Sequence, residues 1–127
     1  MKILLVDDEV EFVSALAERM SLRGIDVQWA SKAEEAIIKA VDNCFDLAVL
    51  DVKMPGQSGI ELKKQLQAKC PNMKFIFLTG HGSKEAYNAG TTQAGEDNYL
   101  LKPIKLEKLM SQIAAVLSKN NTETTNG

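Results

Sequence analysis

The chain opens with the stretch MKILLVDDE, residues 1–9, in which a short apolar run is followed at once by two aspartates. Apolar runs rich in Ile, Leu and Val are typical of strands buried on both faces, as the inner strands of a parallel sheet are. Apolar side chains then recur at spacings of three and four from Val10 to Met20, and Gly24 follows. The stretch therefore predicts a strand, a loop with two carboxylates and an amphipathic helix that ends before Gly24.

The same alternation of an apolar run and a segment of helical period recurs along the chain. This alternation indicates βαβ units on a mostly parallel sheet, and thus an α/β fold. We predict five strands, at residues 3–6, 25–29, 47–50, 75–78 and 98–101. Ser31 and Glu34 are expected to form a capping box at the start of the second helix.

The later helices differ in the strength of their sequence signals. The third helix is predicted to run from near Ser58 to about Lys69, and the last helix to begin after Pro103. Between these two, glycines and threonines lower the helix propensity. We therefore expect only a short or frayed fourth helix, at about residues 84–89.

Length and composition limit the classes of protein to consider. A chain of 127 residues fits one domain, which we place at residues 1–118, and the polar residues 119–127 are predicted to form a disordered tail. The net charge of −2 argues against direct nucleic-acid binding, because such binders carry a basic excess. No apolar stretch approaches the ~18 residues that span a bilayer, so we expect no membrane insertion.

The two cysteines, Cys44 and Cys70, suggest no special chemistry. They are too few for a disulfide-scaffolded domain and lack the spacing of a zinc site. The apolar run in residues 1–9 is also much shorter than the core of a signal peptide. We therefore interpret the pair as two reduced thiols in a cytoplasmic protein.

Polar side chains follow the predicted strands at the points where the strands end. The sequence places Asp7 and Asp8 after the first, Asp51 at the end of the third, Thr79 at the end of the fourth and Lys102 after the fifth. Open α/β sheets bind ligands at this edge. Three crowded carboxylates repel one another unless a pKa rises or a cation lies between them. Because the protein ligands are few, this pattern favours Mg²⁺ over a calcium cage.

Each of these residues also has an ordinary structural interpretation. Asp7 or Asp8 alone is typical of a helix N-cap, and Asp51 before Met-Pro-Gly is typical of a turn. Thr79 alone would be a β-branched strand residue, and Lys102 a solvated lysine. Their joint placement at one sheet edge favours a shared site.

With these residues in view, the chain resembles the receiver domain of two-component response regulators over residues 1–118. Four markers carry the resemblance: VDDE (residues 6–9), LDVKMPG (50–56), LTGHGS (78–83) and YLLKP (99–103). Each is weak alone, but the four in this order on matching strand ends are specific. The resemblance implies a flavodoxin-like, doubly wound fold with a five-stranded parallel sheet in the order 2-1-3-4-5 and helices on both faces.

The resemblance implies that Asp51 accepts a phosphoryl group from a phosphohistidine on a histidine kinase or a histidine phosphotransfer domain. Asp8 would ligate Mg²⁺ directly, Asp7 directly or through water, and Asp51 through one oxygen. Lys53 would add only its backbone carbonyl. Catalysis at such a site rests mostly on positioning and electrostatics.

The resemblance also assigns residues around the phosphoryl group. Lys102 would offer its ammonium and Thr79 its hydroxyl, and Pro103 would follow a cis peptide bond. Tyr99 matches the aromatic switch position, where the ring turns inward as the threonine moves; the alternative is a half-buried strand tyrosine with a wet hydroxyl. Phosphorylation would then bias a pre-existing two-state equilibrium that includes the predicted fourth helix.

Two positions flank the site where the family tunes the attack of water on the acyl phosphate. We hypothesise that Lys53 lies over the phosphoryl group and limits in-line water. His81 is either an exposed residue of a Gly-His-Gly turn or a group that orients water or the phosphodonor.

The predicted function is that of a phosphorelay signalling domain that assists only its own phosphorylation and dephosphorylation, and not of an enzyme. Output would pass to a downstream protein through the face of the fourth helix, the fifth strand and the last helix. Whether phosphorylation also forms a homodimer stays open. The chain would be either a stand-alone receiver or a piece of a longer regulator or hybrid kinase.

Two alternatives remain at this point. The first is a receiver-like interaction module that takes no phosphate, which the intact set of Asp8, Asp51, Thr79 and Lys102 disfavours. The second is a Mg²⁺-dependent phosphohydrolase with an aspartyl phosphate. Such enzymes commonly carry a second acid where this chain has Lys53, which disfavours that alternative.

Overall fold

A computed structural model describes residues 1–80 and 99–126, and in this range the chain forms one parallel sheet. The strands are β1 (Lys2–Val6), β2 (Asp26–Ala30), β3 (Leu47–Asp51), β4 (Lys74–Thr79) and β5 (Tyr99–Leu101). Their order is β2-β1-β3-β4-β5, and each neighbouring pair is parallel. The predicted fold and strand order are confirmed.

The helices in the described residues are α1 (Val10–Leu22), α2 (Ala33–Asp42), α3 (Gly59–Lys69) and α4 (Leu106–Asn126). The short helix predicted at residues 84–89 lies outside the described residues. Among the helices that the structure describes, none combines the length and the apolar character that crossing a membrane requires.

Two hydrophobic cores flank the sheet, one on each face. Alternate residues of a strand point to opposite faces, so β3 sends Ala48 and Leu50 to one core and Leu47 and Val49 to the other. Helices α2 and α3 cover the first core, with Ala36, Ala40, Leu62 and Leu66. Helices α1 and α4 cover the second, with Val13, Leu16, Ala17, Met20, Leu109 and Ile113.

The starts of α2 and α3 are capped differently, and the capping box predicted for Ser31 and Glu34 at α2 is wrong. At α3 the Ser58 hydroxyl accepts a hydrogen bond from the Glu61 backbone N–H at 3.1 Å, as a capping residue does. At α2 the N-cap is Lys32, which makes no side-chain capping bond. Because the helix begins one residue later than predicted, the Ser31 hydroxyl meets Glu35 instead of forming a box with Glu34, at 2.9 Å.

Helix α4 continues into the residues for which a disordered tail is predicted. Its backbone is helical from Leu106 to Asn126, so it continues well past residue 118. Leu109 and Ile113 anchor the first turns in the core. Once a helix is nucleated, each added residue gains a backbone hydrogen bond at little further cost, so polar residues extend it. The domain boundary at residue 118 stays a prediction.

The two cysteines correct the prediction of reduced thiols, since Cys44 and Cys70 form a disulfide. Cys70 is the C-cap of α3 and is buried, whereas Cys44 is exposed in the connection between α2 and β3. The ends of α2 and α3 lie side by side on the same sheet face, which brings two residues 26 positions apart to a Cα–Cα distance of 5.8 Å. Sequence spacing carries no sign of that proximity.

Gly59, the first residue of α3, packs directly against the backbone of the strand before it. Its N–H donates to the Val52 carbonyl at 2.9 Å. A Cβ added at Gly59 would overlap the carbonyl oxygen of Asp51 and lie 3.3 Å from the Val52 Cα. The absence of a side chain therefore lets α3 approach the end of β3 closely.

We expect Gly59→Ala to lower the free energy of unfolding by about 2 kcal/mol. Alanine gains about 1 kcal/mol of helix propensity, but overpacking against backbone that cannot rotate away costs about 3 kcal/mol. Urea unfolding measures the change. Gly80→Ala is the control, because no described atom lies within 4 Å of a Cβ added there. Equal midpoints for the two variants would contradict the prediction.

Candidate functional site

Three carboxylates meet at the carboxyl edge of the sheet. Strands β1 and β3 pair in register through Val6 and Leu50, so Asp7 and Asp51 emerge beside each other. Both are buried, at 2% and 5% exposure, and Asp8 is exposed. One oxygen from each of the three residues lies within 4.8 Å of the others. The predicted grouping of Asp7, Asp8 and Asp51 is thus present.

Lys102 places its ammonium among these acids. The Nζ atom lies 2.6 Å from Asp7 Oδ2 and 3.7 Å from Asp51 Oδ2. The backbone positions it, because the Lys102 N–H donates to the Thr79 carbonyl at 2.8 Å. The Lys102–Pro103 peptide bond is cis, as the resemblance implied.

Asp7 also serves the helix that follows it. Its Oδ1 accepts a hydrogen bond from the Glu9 backbone N–H at 2.9 Å, at the start of α1. Asp7 can therefore bond to the backbone at the start of α1 and also belong to the acidic cluster, because its two oxygens face different partners.

The electrostatics of the cluster favour a proton or a cation near Asp51. Burial, the largest cause, and the charge of Asp7 together raise the pKa of Asp51 to about 7 against the opposing charge of Lys102. Burial also raises the pKa of Asp7, although the Lys102 hydrogen bond opposes that rise. Burial alone would lower the pKa of Lys102, but its hydrogen bonds to Asp7 and Glu9 raise it. The Lys102 ammonium therefore stays charged, but this single positive charge does not balance the negative charges of the carboxylates around it.

We expect the stability cost of the Asp51 charge to grow with pH when no divalent cation is present. The folded pKa of about 7 lies above the ordinary value of 3.8, so ionisation is harder in the folded protein and the free energy of unfolding falls between these two pH values. Asp51→Asn lacks this titration. Its stability advantage over the parent should therefore rise from about pH 4 and level off above pH 7.

Urea unfolding of both proteins across this pH range, with and without Mg²⁺, measures the difference. Mg²⁺ should reduce the advantage of the variant at pH 8, because a bound cation favours the ionised carboxylate. A difference that stays constant with pH would contradict the assignment.

Thr79 and Tyr99 lie on adjacent strands next to the acids. The Thr79 hydroxyl is buried and has no hydrogen-bond partner within residues 1–80 and 99–126. Tyr99 is buried at 4% exposure, and its ring stacks on Phe77 with centroids 4.8 Å apart. Burial raises the pKa of Tyr99 to about 12. The tyrosine is therefore more deeply buried than a half-buried strand residue, and its ring points inward.

Lys53 and His81 are the two residues predicted to tune the attack of water, and the structure describes only Lys53. Lys53 is exposed just beyond the end of β3, and the contacts found around the acids do not include its side chain. His81 lies outside the described residues.

Two residues around Lys102 had no predicted role there. Glu9 Oε1 lies 3.0 Å from Lys102 Nζ, and the Phe12 ring centroid lies 5.0 Å from it. Both belong to the first turn of α1 or its cap. Glu9 directly follows the two aspartates and Phe12 lies three residues further on, and this closeness in sequence is a signal that points toward the site.

The arrangement suits the binding of a cation and an anion side by side. Carboxylate oxygens are preferred ligands of hard divalent cations, and a cation beside Asp51 would oppose the burial and the Asp7 charge that raise the pKa of this carboxyl group. The Lys102 ammonium and the buried Thr79 hydroxyl are donors for an anionic group next to Asp51. The three acids therefore fit a divalent cation, and the two donors fit the oxygens of an anion.

Comparison with known proteins agrees with this geometry. Residues 3–114 match the family model described as the response regulator receiver domain. The chain is 32% identical over 121 residues to the two-component response regulator PhoP of Pseudomonas aeruginosa, covering 95% of this chain and 53% of that protein. It is 37% identical over 120 residues to the transcriptional regulatory protein CpxR of Klebsiella pneumoniae, covering 94% and 50%. The chain thus spans about half the length of these relatives.

Solved structures show the same architecture. A CheY-like receiver domain protein from Methanospirillum hungatei aligns with a TM-score of 0.82 and 31% identity, over 96% of this chain and 97% of that one. A response regulator from Burkholderia pseudomallei, solved with a phosphorylated aspartic acid, a calcium ion and citrate, aligns with a TM-score of 0.79 and 28% identity, over 97% of this chain and 72% of that one.

Proposed function

The chain belongs to the response regulator receiver domain family, and we propose that its Asp51 accepts a phosphoryl group from a phosphohistidine of a histidine kinase or a phosphotransfer domain. One observation carries the proposal. The carboxylate of Asp51 is buried next to two further acids and 3.7 Å from the Lys102 ammonium. This is a nucleophile placed where charge on an incoming phosphoryl group is neutralised.

In the proposed reaction an oxygen of ionised Asp51 attacks the phosphorus in line. The new O–P bond forms as the P–N bond to the donor histidine breaks, and that nitrogen leaves with its electron pair and takes up a proton. Lys102 donates to the phosphoryl oxygens as they approach Asp51, and the Thr79 hydroxyl supplies a second donor.

The proposed cofactor is Mg²⁺, held by Asp7, Asp8, Asp51 and the backbone carbonyl of Lys53. When bound, it would supply positive charge that favours ionised Asp51 and offsets the repulsion between carboxylates and phosphoryl oxygens. The acidic cluster supports this assignment, because its oxygens lie within 4.8 Å of one another.

Thr79 and Tyr99 are proposed to transmit the phosphorylated state. A phosphoryl group on Asp51 gives the Thr79 hydroxyl an acceptor, and the inward ring of Tyr99 lies on the adjacent strand. Movement of the threonine would favour one of two arrangements around β5. The output surface would include β5 and α4, where a downstream protein or a second copy of the chain binds.

The remaining assignments also belong to this proposal. We assign the domain to signalling in the cytoplasm, with no enzymatic activity on other substrates and no direct contact with nucleic acid or membrane. The role proposed for His81, which follows Thr79 by two residues in the sequence, is to orient water or the phosphodonor.

We expect Lys53→Ala to shorten the lifetime of the phosphorylated protein by several-fold. The exposed lysine two residues after Asp51 is proposed to lie over the phosphoryl group and limit in-line water. The decay of the acyl phosphate, followed by intact mass, measures this lifetime. Lys63→Ala is the control, because Lys63 lies on α3 and its ammonium is 5.9 Å from the Phe75 ring centroid, away from the site. An unchanged or slower decay in Lys53→Ala would refute the hypothesis.

The test of the proposed function is phosphorylation by a small donor. The protein is incubated with acetyl phosphate and Mg²⁺ and then analysed by intact mass, with a chelator as a parallel sample. We expect a mass gain of one phosphoryl group only when Mg²⁺ is present. Beryllofluoride with Mg²⁺ should change the fluorescence of Trp29 or Tyr99 under the same conditions. The absence of both responses would support the unphosphorylated interaction module instead.

A further inference from the structure

The Lys102 ammonium is held by a residue that the proposed reaction does not use. Its Nζ donates to Glu9 Oε1 at 3.0 Å and lies 2.6 Å from Asp7 Oδ2. The Phe12 ring covers it at 5.0 Å, which suits a cation over an aromatic face. The oxygen of Asp51, at 3.7 Å, is outside hydrogen-bond distance. The ammonium is therefore engaged away from the nucleophile.

Glu9 has no other structural task in the described residues. It occupies the N-cap position of α1, but its side chain makes no capping hydrogen bond. Its side chain is 65% exposed, whereas the side chains of Asp7 and Lys102 are 3% and 14% exposed. Within residues 1–80 and 99–126, the contact with Lys102 is thus the interaction that orients this carboxylate.

We propose that Glu9 is a positioning residue that holds the Lys102 ammonium in the unphosphorylated protein and releases it to the phosphoryl group. The inference rests on the proposed function, because it concerns the same site. The Lys102 ammonium lies 3.7 Å from Asp51 Oδ2, outside hydrogen-bond distance, so donating to a phosphoryl group on Asp51 moves the ammonium toward Asp51 and lengthens its contact with one of its present partners. Glu9 is the partner that leaves most easily, since water replaces the ammonium at an exposed carboxylate but not at buried Asp7.

Glu9 therefore competes with the phosphoryl group for Lys102. Loss of its charge should strengthen the binding of a phosphoryl mimic by the factor that an exposed ion pair contributes, about two- to fivefold. Glu11 provides a matched control. It is an exposed acid in the first turn of the same helix, so Glu11→Gln removes the same charge near the helix N-terminus without removing a contact to Lys102.

The experiment measures the dissociation constant of beryllofluoride by calorimetry, in saturating Mg²⁺, for the parent, Glu9→Gln and Glu11→Gln. We expect two- to fivefold tighter binding for Glu9→Gln and unchanged binding for Glu11→Gln. A second readout needs neither Mg²⁺ nor mimic. The ammonium protons of Lys102, followed by NMR, should exchange faster with solvent in Glu9→Gln only, because a hydrogen-bond acceptor of full charge is lost.

The outcomes separate the two proposals. Equal effects of the two variants, or weaker binding in Glu9→Gln, would overturn the role of Glu9 while leaving phosphorylation of Asp51 intact. If the parent bound no beryllofluoride and took no phosphoryl group, the proposed function would fail. The proton exchange of Lys102 would then decide the role of Glu9 alone: unchanged exchange in Glu9→Gln would overturn it.

Discussion

Asp51→Asn is expected to abolish Mg²⁺-dependent phosphorylation by acetyl phosphate while the protein stays folded. The amide has the shape of the carboxylate but lacks its nucleophilic charge, and the other two acids of the cluster are placed differently from Asp51. Asp7 is tied to Lys102 and to the Glu9 backbone, and Asp8 is exposed. The variant also removes a buried charge, so its fold should be at least as stable as that of the parent at neutral pH.

Intact mass after incubation with acetyl phosphate and Mg²⁺ measures the result. Asp26→Asn is the matched control, because Asp26 is an exposed aspartate at the opposite, amino-terminal end of a strand. The control should gain the phosphoryl group at the rate of the parent. A persistent mass gain in Asp51→Asn would show that another residue, with Asp8 the first to examine, accepts the phosphoryl group.

Loss of the disulfide is expected to lower the free energy of unfolding by about 3 to 4 kcal/mol. The bond joins Cys44 to Cys70 across 26 residues, and a loop of this length restricts the unfolded chain by about that amount in the chain-entropy model. Cys70 is buried at 2% exposure, so it keeps its apolar contacts when the bond is broken. The loss should therefore come mainly from the greater freedom of the unfolded chain.

Urea unfolding of the oxidised parent, the reduced parent and Cys44→Ser measures this effect. Replacement of Cys44 leaves the core intact because that side chain is exposed. The reduced parent and the variant should unfold at the same lower urea concentration, and a reductant should leave the variant unchanged. If reduction did not shift the midpoint of the parent, the bond would contribute nothing to stability.

The sequence predicted the fold well because the fold depends on local patterns and strand ends. The apolar runs predicted all five strands to within one residue at each end, and the polar residues at the carboxyl ends of these runs placed Asp7, Asp51 and Thr79 at one edge. The resemblance added the strand order, which periodicity alone does not determine. Together these signals predict the acidic cluster from the sequence.

The contacts that the sequence did not predict have a different cause, because they depend on how distant parts of the chain pack together. Cys44 and Cys70 meet because α2 and α3 pack side by side on one face, and no spacing rule encodes that pairing. The contact of Glu9 with Lys102 spans 93 positions.

The two cores on opposite faces of the sheet give the parts of this protein unequal freedom to change in sequence. A substitution in α2 or α3 is felt in one core, and one in α1 or α4 is felt in the other, so changes on the two faces should combine almost independently. Strand β3 contributes side chains to both cores and ends at Asp51. The helices on one face can therefore change in sequence to suit new partners without disturbing the other core. A change in β3, the strand that ends at Asp51, affects both cores.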